Sequence, residues 1–188
     1  DGVERQKFRR VSNGALAAID PNTGEILAMV GSKDYFDTEN DGNVNVTVTN
    51  QQPGSSFKPI VVAAAFKENN FSPATTLWDV KTDFNGYSPN NYELRQRGPV
   101  NIRYALGNSL NIPMVKILSL IGLDKAIATA RDLGITTLTD PSRYGLSLVL
   151  GGGDVRPLDM ATAFGVFAAE GTYRPPISIL KVEDSQSR

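Results

Sequence analysis

An α+β fold is what this sequence predicts, on three observations. Two β-rich runs near the N-terminus are joined by a Pro-Gly turn, helix-patterned segments follow one another between Pro59 and Gly171, and a closing stretch alternates like a strand. With 188 residues, 40% of them hydrophobic, there is material for one sizeable core. A domain of this size should bury about 70% of its unfolded surface without covalent staples.

The elements follow in order. "GALAAIDPNTGEILAMVGS", residues 14–32, reads as a hairpin, because Pro21 presets a turn and Gly24 can take a positive φ. Residues 37–52, "DTENDGNVNVTVTNQQ", are polar and rich in Asn, which predicts an exposed loop with at most a short strand over Val44 to Val48. From Pro59 to Asn69 small and apolar residues predict a buried helix. Residues 70–98 carry the turn formers Pro73, Gly86, Pro89 and Gly98 and read as a second loop. Pro99 suits the first turn of a helix in "PVNIRYALGN". "NIPMVKILSLIG" then has Asn111 as its cap, Pro113 in its first turn and Gly122 as its stop. "DKAIATARDLG" ends at Gly134, and "RPLDMATAFGVFAAEG" runs from Pro157 to Gly171. Gly151-Gly152-Gly153-Asp154 lacks the G-K-[ST] of a phosphate loop and reads as a tight connection before the Pro157 helix. "PPISILKVED" is read as a departing strand.

Composition excludes whole classes of chemistry. Nineteen Lys+Arg against twenty Asp+Glu leave a net charge of -1, so no global field favours nucleic acid or an anionic membrane. The short basic run "ERQKFRR" reads as a solvated connector. The chain contains no cysteine, which removes disulfides and thiolates, and no histidine, which removes the usual base and every Ser-His-Asp scheme. Acid-base work falls to Lys, Asp, Glu or Tyr. No apolar stretch approaches the ~20 residues that span a bilayer.

One short string fits those limits. In "NQQPGSSFKPIVVAAAF", residues 50–66, Ser55 and Lys58 are spaced i, i+3, so on a helix they share a face about 5 to 6 Å apart at Cβ. Gly54 permits a sharp entry, and a serine at a helix start lies among unpaired N–H groups at the positive end of the dipole. Such a place favours an oxyanion on a carbonyl attacked by Ser55, while Lys58 takes the hydroxyl proton if burial suppresses its charge. The bland alternative is an N-cap serine beside a solvated lysine, and S-x-x-K recurs at Ser178 to Lys181. That copy lies in a strand-like run, where i and i+3 face opposite ways.

In order and spacing, residues 14–32, "QQPGSSFKPIVVAAAF", "GPVNIRYALGNSLNIPMVKI" and "GLSLVLGGGDVRPLDMATAFGVFAAEGTYRPP" together resemble the transpeptidase domain of penicillin-binding proteins, of the class A, high-molecular-mass type. The resemblance covers about Asn13 to Asp184. It implies a penicillin-binding-protein/serine β-lactamase-like fold, a helical cluster packed on an antiparallel sheet, with residues 1–12 a linker or extension and 13–188 the N-terminal portion of the domain. It implies Ser55 as nucleophile and Lys58 as base of the S-x-x-K motif. Ser109-Leu110-Asn111 matches the S-x-N motif, with Ser109 relaying a proton and Asn111 holding the substrate peptide. The rival Ser88-Pro89-Asn90 falls in a turn-rich stretch.

The family's third motif, K-T-G, does not occur. Lys81-Thr82-Asp83 lacks the glycine and precedes Ser109, on the wrong side in chain order. The sheet is therefore expected to be incomplete in this chain, with its remaining strands supplied by a second polypeptide fragment. The resemblance implies no metal or organic cofactor. Its implied partners are peptidoglycan stem peptides and β-lactam antibiotics, in an extracytoplasmic parent protein anchored to the membrane. A Glu39-x-x-x-Asn43 string resembles the water-activating pattern of class A β-lactamases but also stands on the wrong side of Ser55, against rapid deacylation. A D,D-carboxypeptidase or endopeptidase, and a non-catalytic penicillin-binding sensor or scaffold, are the alternatives.

Overall fold

The computed structural model describes residues 11–68 and 71–184; the basic run "ERQKFRR", most of the 1–12 extension and Asn69 lie outside them. The described chain forms two compact units where length suggested a single core. One combines residues through Gln51, Leu133–Ile135 and residues from Arg156 onward; the other combines Gln52–Asp132 with Thr136–Val155.

In the first unit, β1 (Leu16–Ile19) and β2 (Ile26–Val30) pair antiparallel, Leu16 opposite Val30, around a turn closed by Gly24 at φ +85°. Gly24 is required there because a Cβ would meet the Pro175 carbonyl oxygen at 2.2 Å. Helix α5 (Pro157–Ala168) opens on a first-turn proline and packs on β1. Val44 to Val48 is no strand. Asn45 accepts from the Thr47 N–H and winds Val46–Val48 into a single 3-10 turn. The last segment does not continue as a strand either; only Ile177 bridges to Glu25, and its flanks are exposed.

The second unit is built around α1 (Lys58–Glu68), whose Ile60, Val61, Ala64 and Ala65 are fully buried. A helix apolar on nearly every side belongs inside, and each enclosed Val or Ile contributes about 1.5–3 kcal/mol. It packs against α3 (Asn111–Ile121) and α4 (Leu123–Asp132). Gly122, at φ +87°, ends α3 at its expected stop. The stretch read as loop contains a strand, β3 (Thr76–Asp79), which pairs with β4 (Gly98–Asn101). Pro99 thus lies in a strand, and helix α2 (Ile102–Gly107) begins only after Asn101, whose side chain accepts from the Tyr104 N–H as a true N-cap. The helix expected to open at Pro99 thus starts three residues later, because Asn101 is the better cap.

Candidate active site

Ser55 lies on a 3-10 turn, Gly54–Phe57, that runs straight into α1. Gly54 enters at φ +57°, and Phe57 anchors the turn in the core at 0% exposure. Lys58 closes the turn, its backbone N–H donating to the Ser55 carbonyl. The two adjacent serines differ. Ser56 donates its hydroxyl to the Pro53 carbonyl at 2.6 Å, whereas the exposed Ser55 hydroxyl has no hydrogen bond among the described residues. Gly151, at φ +91°, backs the turn so closely that a Cβ there would fall 2.2 Å from Gly54 N. The glycine run read as a tight connection is thus also the support of the serine turn.

Lys58 is 1% exposed. Its ammonium donates to the Ser109 carbonyl at 2.6 Å, to Ser109 Oγ at 2.9 Å and to Asn111 Oδ1 at 2.7 Å, which uses all three of its donors. Burial disfavours the charged form and pushes its pKa down to about 8.

Ser109 owes its direction to the end of α2. Its N–H donates to the Leu106 carbonyl and that of Leu110 to the Ala105 carbonyl, the pair of bonds of a Schellman motif. Ser109 occupies the left-handed position, φ +52°, where glycine is usual. A non-glycine residue there costs about 1–2 kcal/mol, a strain of the kind that gathers at functional sites. Asn111 is the first residue of α3 and not its cap, because Leu110 takes the cap position. The missing cap comes from outside the helix: Asn91 Oδ1 accepts from the N–H groups of Asn111 at 2.8 Å and Ile112 at 3.3 Å.

A cavity of about 350 Å³ lies here, with Ser55, Ser109 and Asn111 in its lining. Its other wall is the loop carrying Tyr92, Glu93, Arg95 and Arg97. Arg97 is engaged with Glu93 at 2.7 Å and with the Tyr104 hydroxyl at 2.7 Å. Of the aromatic residues in this region, Tyr92 lines the cavity and is 97% exposed. The structure therefore joins Lys58 to Ser109 and Asn111, and puts Ser55 and Ser109 on one cavity.

The competing strings lie elsewhere. Asp83 accepts from the Gly86 N–H and the Ser88 hydroxyl, and these bonds hold its carboxyl below the usual range. Lys81-Thr82-Asp83 and Ser88 are thus parts of one turn. Asn90 enters the site only through its carbonyl, which accepts from Asn111 Nδ2 at 2.7 Å. Lys181 of the second S-x-x-K is ion-paired with Glu183. Among the described residues no group of three or more acidic side chains is arranged to hold a metal ion. Asp79 and Asn91 escaped the sequence reading. The available signal was an aspartate at the second inward position of an otherwise apolar strand pattern, "TLWD", where a buried carboxylate demands partners.

The exposed Ser55, the buried Lys58 and the Ser109–Asn111 pair are thus set among helices in an α+β frame. Residues 14–188 match the family model of the penicillin binding protein transpeptidase domain, and the chain belongs to that family. Penicillin-binding protein 1F of Bacillus subtilis is 36% identical over 92% of this chain and 24% of its own length. Penicillin-binding protein 1C of Escherichia coli is 34% identical over 85% and 21%. The chain thus spans under a quarter of these curated relatives. The structure of PonA1 from Mycobacterium tuberculosis in complex with penicillin V shares the fold, with a TM-score of 0.76 at 23% identity over 93% of this chain and 49% of that one. Penicillin-binding protein 1A from Haemophilus influenzae gives a TM-score of 0.70 at 29% identity over 82% and 23%.

Proposed function

We propose that the protein containing this chain is a peptidoglycan D,D-transpeptidase. Residues 13–188 form the N-terminal portion of its transpeptidase domain, and residues 1–12 a linker or N-terminal extension. Ser55 Oγ attacks the penultimate D-Ala carbonyl of a stem peptide, and its proton passes to neutral Lys58. The C–N bond then breaks, the terminal D-Ala leaves with a proton returned through the Ser109 hydroxyl, and Asn111 holds the peptide. An amine from a neighbouring stem attacks the acyl-serine ester, gives up a proton and frees Ser55. β-Lactams acylate the same oxygen. The observation that carries this reading is the contact of buried Lys58 with both Ser109 Oγ and Asn111 Oδ1 beside a cavity shared with Ser55.

The reaction also needs donors for the oxyanion and a cation for a substrate carboxylate, and no K-T-G string occurs in these 188 residues. We assign that strand to residues outside these 188. Support comes from β2, an apolar strand whose Leu27 and Val30 are 65% and 50% exposed. Loss of one oxyanion donor slows such chemistry on the order of 10²- to 10³-fold. We place the whole protein at the outer side of the cytoplasmic membrane; among the described residues no helix is long and apolar enough to cross it.

Labelling with a fluorescent penicillin tests the nucleophile. Wild-type protein with the third motif in place should label, and Ser55→Ala should not; label on the variant would end the assignment. Product analysis with a stem-peptide donor and an added amine tests the acceptor. Hydrolysis alone at every amine concentration would make the protein a carboxypeptidase.

A further inference from the structure

Asp79 and Asn91 are fully enclosed polar residues, 0% and 3% exposed, yet neither belongs to a catalytic motif. Asn91 uses both ends of its amide. Nδ2 donates to the two Asp79 carboxylate oxygens, both at 2.9 Å, and to the Arg95 carbonyl at 2.8 Å. Oδ1 therefore has only one way to point, toward the first N–H groups of α3. Asp79 is itself fixed from the other side by the Arg97 N–H at 2.9 Å. A carboxylate thus orients an amide, and the amide caps the helix on which Asn111 is the first residue. The neighbouring carbonyl of Asn90 takes Asn111 Nδ2, which leaves Asn111 Oδ1 for Lys58.

We infer that Asp79 and Asn91 are positioning residues of this active site: Asp79 sets the orientation of the Asn91 amide, and Asn91, as a cap supplied from the cavity wall, sets the register of Asn111 against Lys58. The inference rests on the proposed acyl transfer at Ser55. The same residues also fix the loop 91–97, so the wall facing the substrate and the asparagine that meets it are held by one network. Neither residue needs to touch substrate for this.

The test is the rate constant of acylation by a fluorescent penicillin, measured together with the fraction of protein finally labelled, in the complete protein with the third motif present. Asn91→Ala should slow acylation on the order of 10²-fold, the scale of a small misplacement of reacting groups, with the labelled fraction unchanged. Asp79→Asn keeps the shape but replaces one of the two acceptors facing Asn91 Nδ2 by an NH2, which loosens the hold on the Asn91 amide; a slowing of about tenfold is expected. The exchange Asp79→Asn with Asn91→Asp restores a donor-to-carboxylate pair and an acceptor at the helix start but leaves the Arg95 carbonyl without its donor, and should recover part of the rate lost in Asn91→Ala. If Asn91→Ala does not fold, the isosteric Asp79→Asn and the exchange carry the test. Rates within twofold of wild type in the single variants, or a reduced labelled fraction at an unchanged rate, would overturn the inference. Label on Ser55→Ala would instead overturn the underlying assignment of the nucleophile.

Discussion

Lys58 Nζ lies 2.9 Å from Ser109 Oγ, a contact across 51 positions of sequence that joins the first turn of α1 to the end of α2. A buried amine with its pKa lowered to about 8 is able to exchange a proton with a hydroxyl near neutrality.

The acylation rate should follow that titration. The neutral amine is the base, so the rate constant should climb about tenfold per pH unit below pH 8 and level off above it. A penicillin-acylation pH profile checks this. A flat profile between pH 6 and 9 would exclude Lys58 as the base.

The same burial has a sign in stability. The folded pKa lies below the ordinary value of 10.5, so between about pH 8 and 10.5 the unfolded chain binds more protons. Stability should rise with pH across that window, by on the order of 3 kcal/mol from this group, and the penalty should be fully present below pH 8. Lys58→Met should flatten the slope in urea titrations at pH 7.5 and 10.

Ser109 should trade stability for its hydroxyl. Ser109→Ala and Ser109→Gly both remove the oxygen, but only glycine relieves the left-handed backbone at φ +52°. The glycine variant should be about 1 kcal/mol more stable than the alanine variant, the reverse of the usual order, and both should acylate slowly. Equal stabilities would mean that the backbone there is not strained.

Gly151→Ala should damage the serine turn from behind. Its Cβ would fall 2.2 Å from Gly54 N, so the turn must shift, at about 1–3 kcal/mol for overpacking in addition to the left-handed φ. Thermal melting and penicillin labelling should both decline. In Gly152→Ala the nearest atoms to the new Cβ belong to Ser147 and not to Gly54.

Several of these residues were legible in the sequence for a physical reason. Ser55, Lys58, Ser109 and Asn111 were expected from short strings at helix starts and ends and from their resemblance to the family's motifs, whereas the contact of Lys58 with Ser109 across 51 positions was not. The hairpin of β1 and β2 and the helices stopped by Gly122 and Gly134 were legible in the same way. Asn91 and Asp79 were not, because they partner each other 12 positions apart and their remaining partners, up to 21 positions away, are backbone groups, which carry no residue identity. Gly151 was visible only as a turn former, since a sequence does not disclose which backbone a missing Cβ admits. Pro99 misled because a proline tolerated in a two-stranded ladder looks the same as one that opens a helix.

The three acceptors around Lys58 constrain what happens when it gives up a proton. Two of them, a main-chain carbonyl and an amide oxygen whose NH2 is anchored at Asn90, have no hydrogen to offer in return. Only an alcohol can turn about and donate to the new lone pair. Ionisation of the amine and rotation of the hydroxyl on residue 109 are then a single event, and an infrared or NMR marker on either group should report the other's titration.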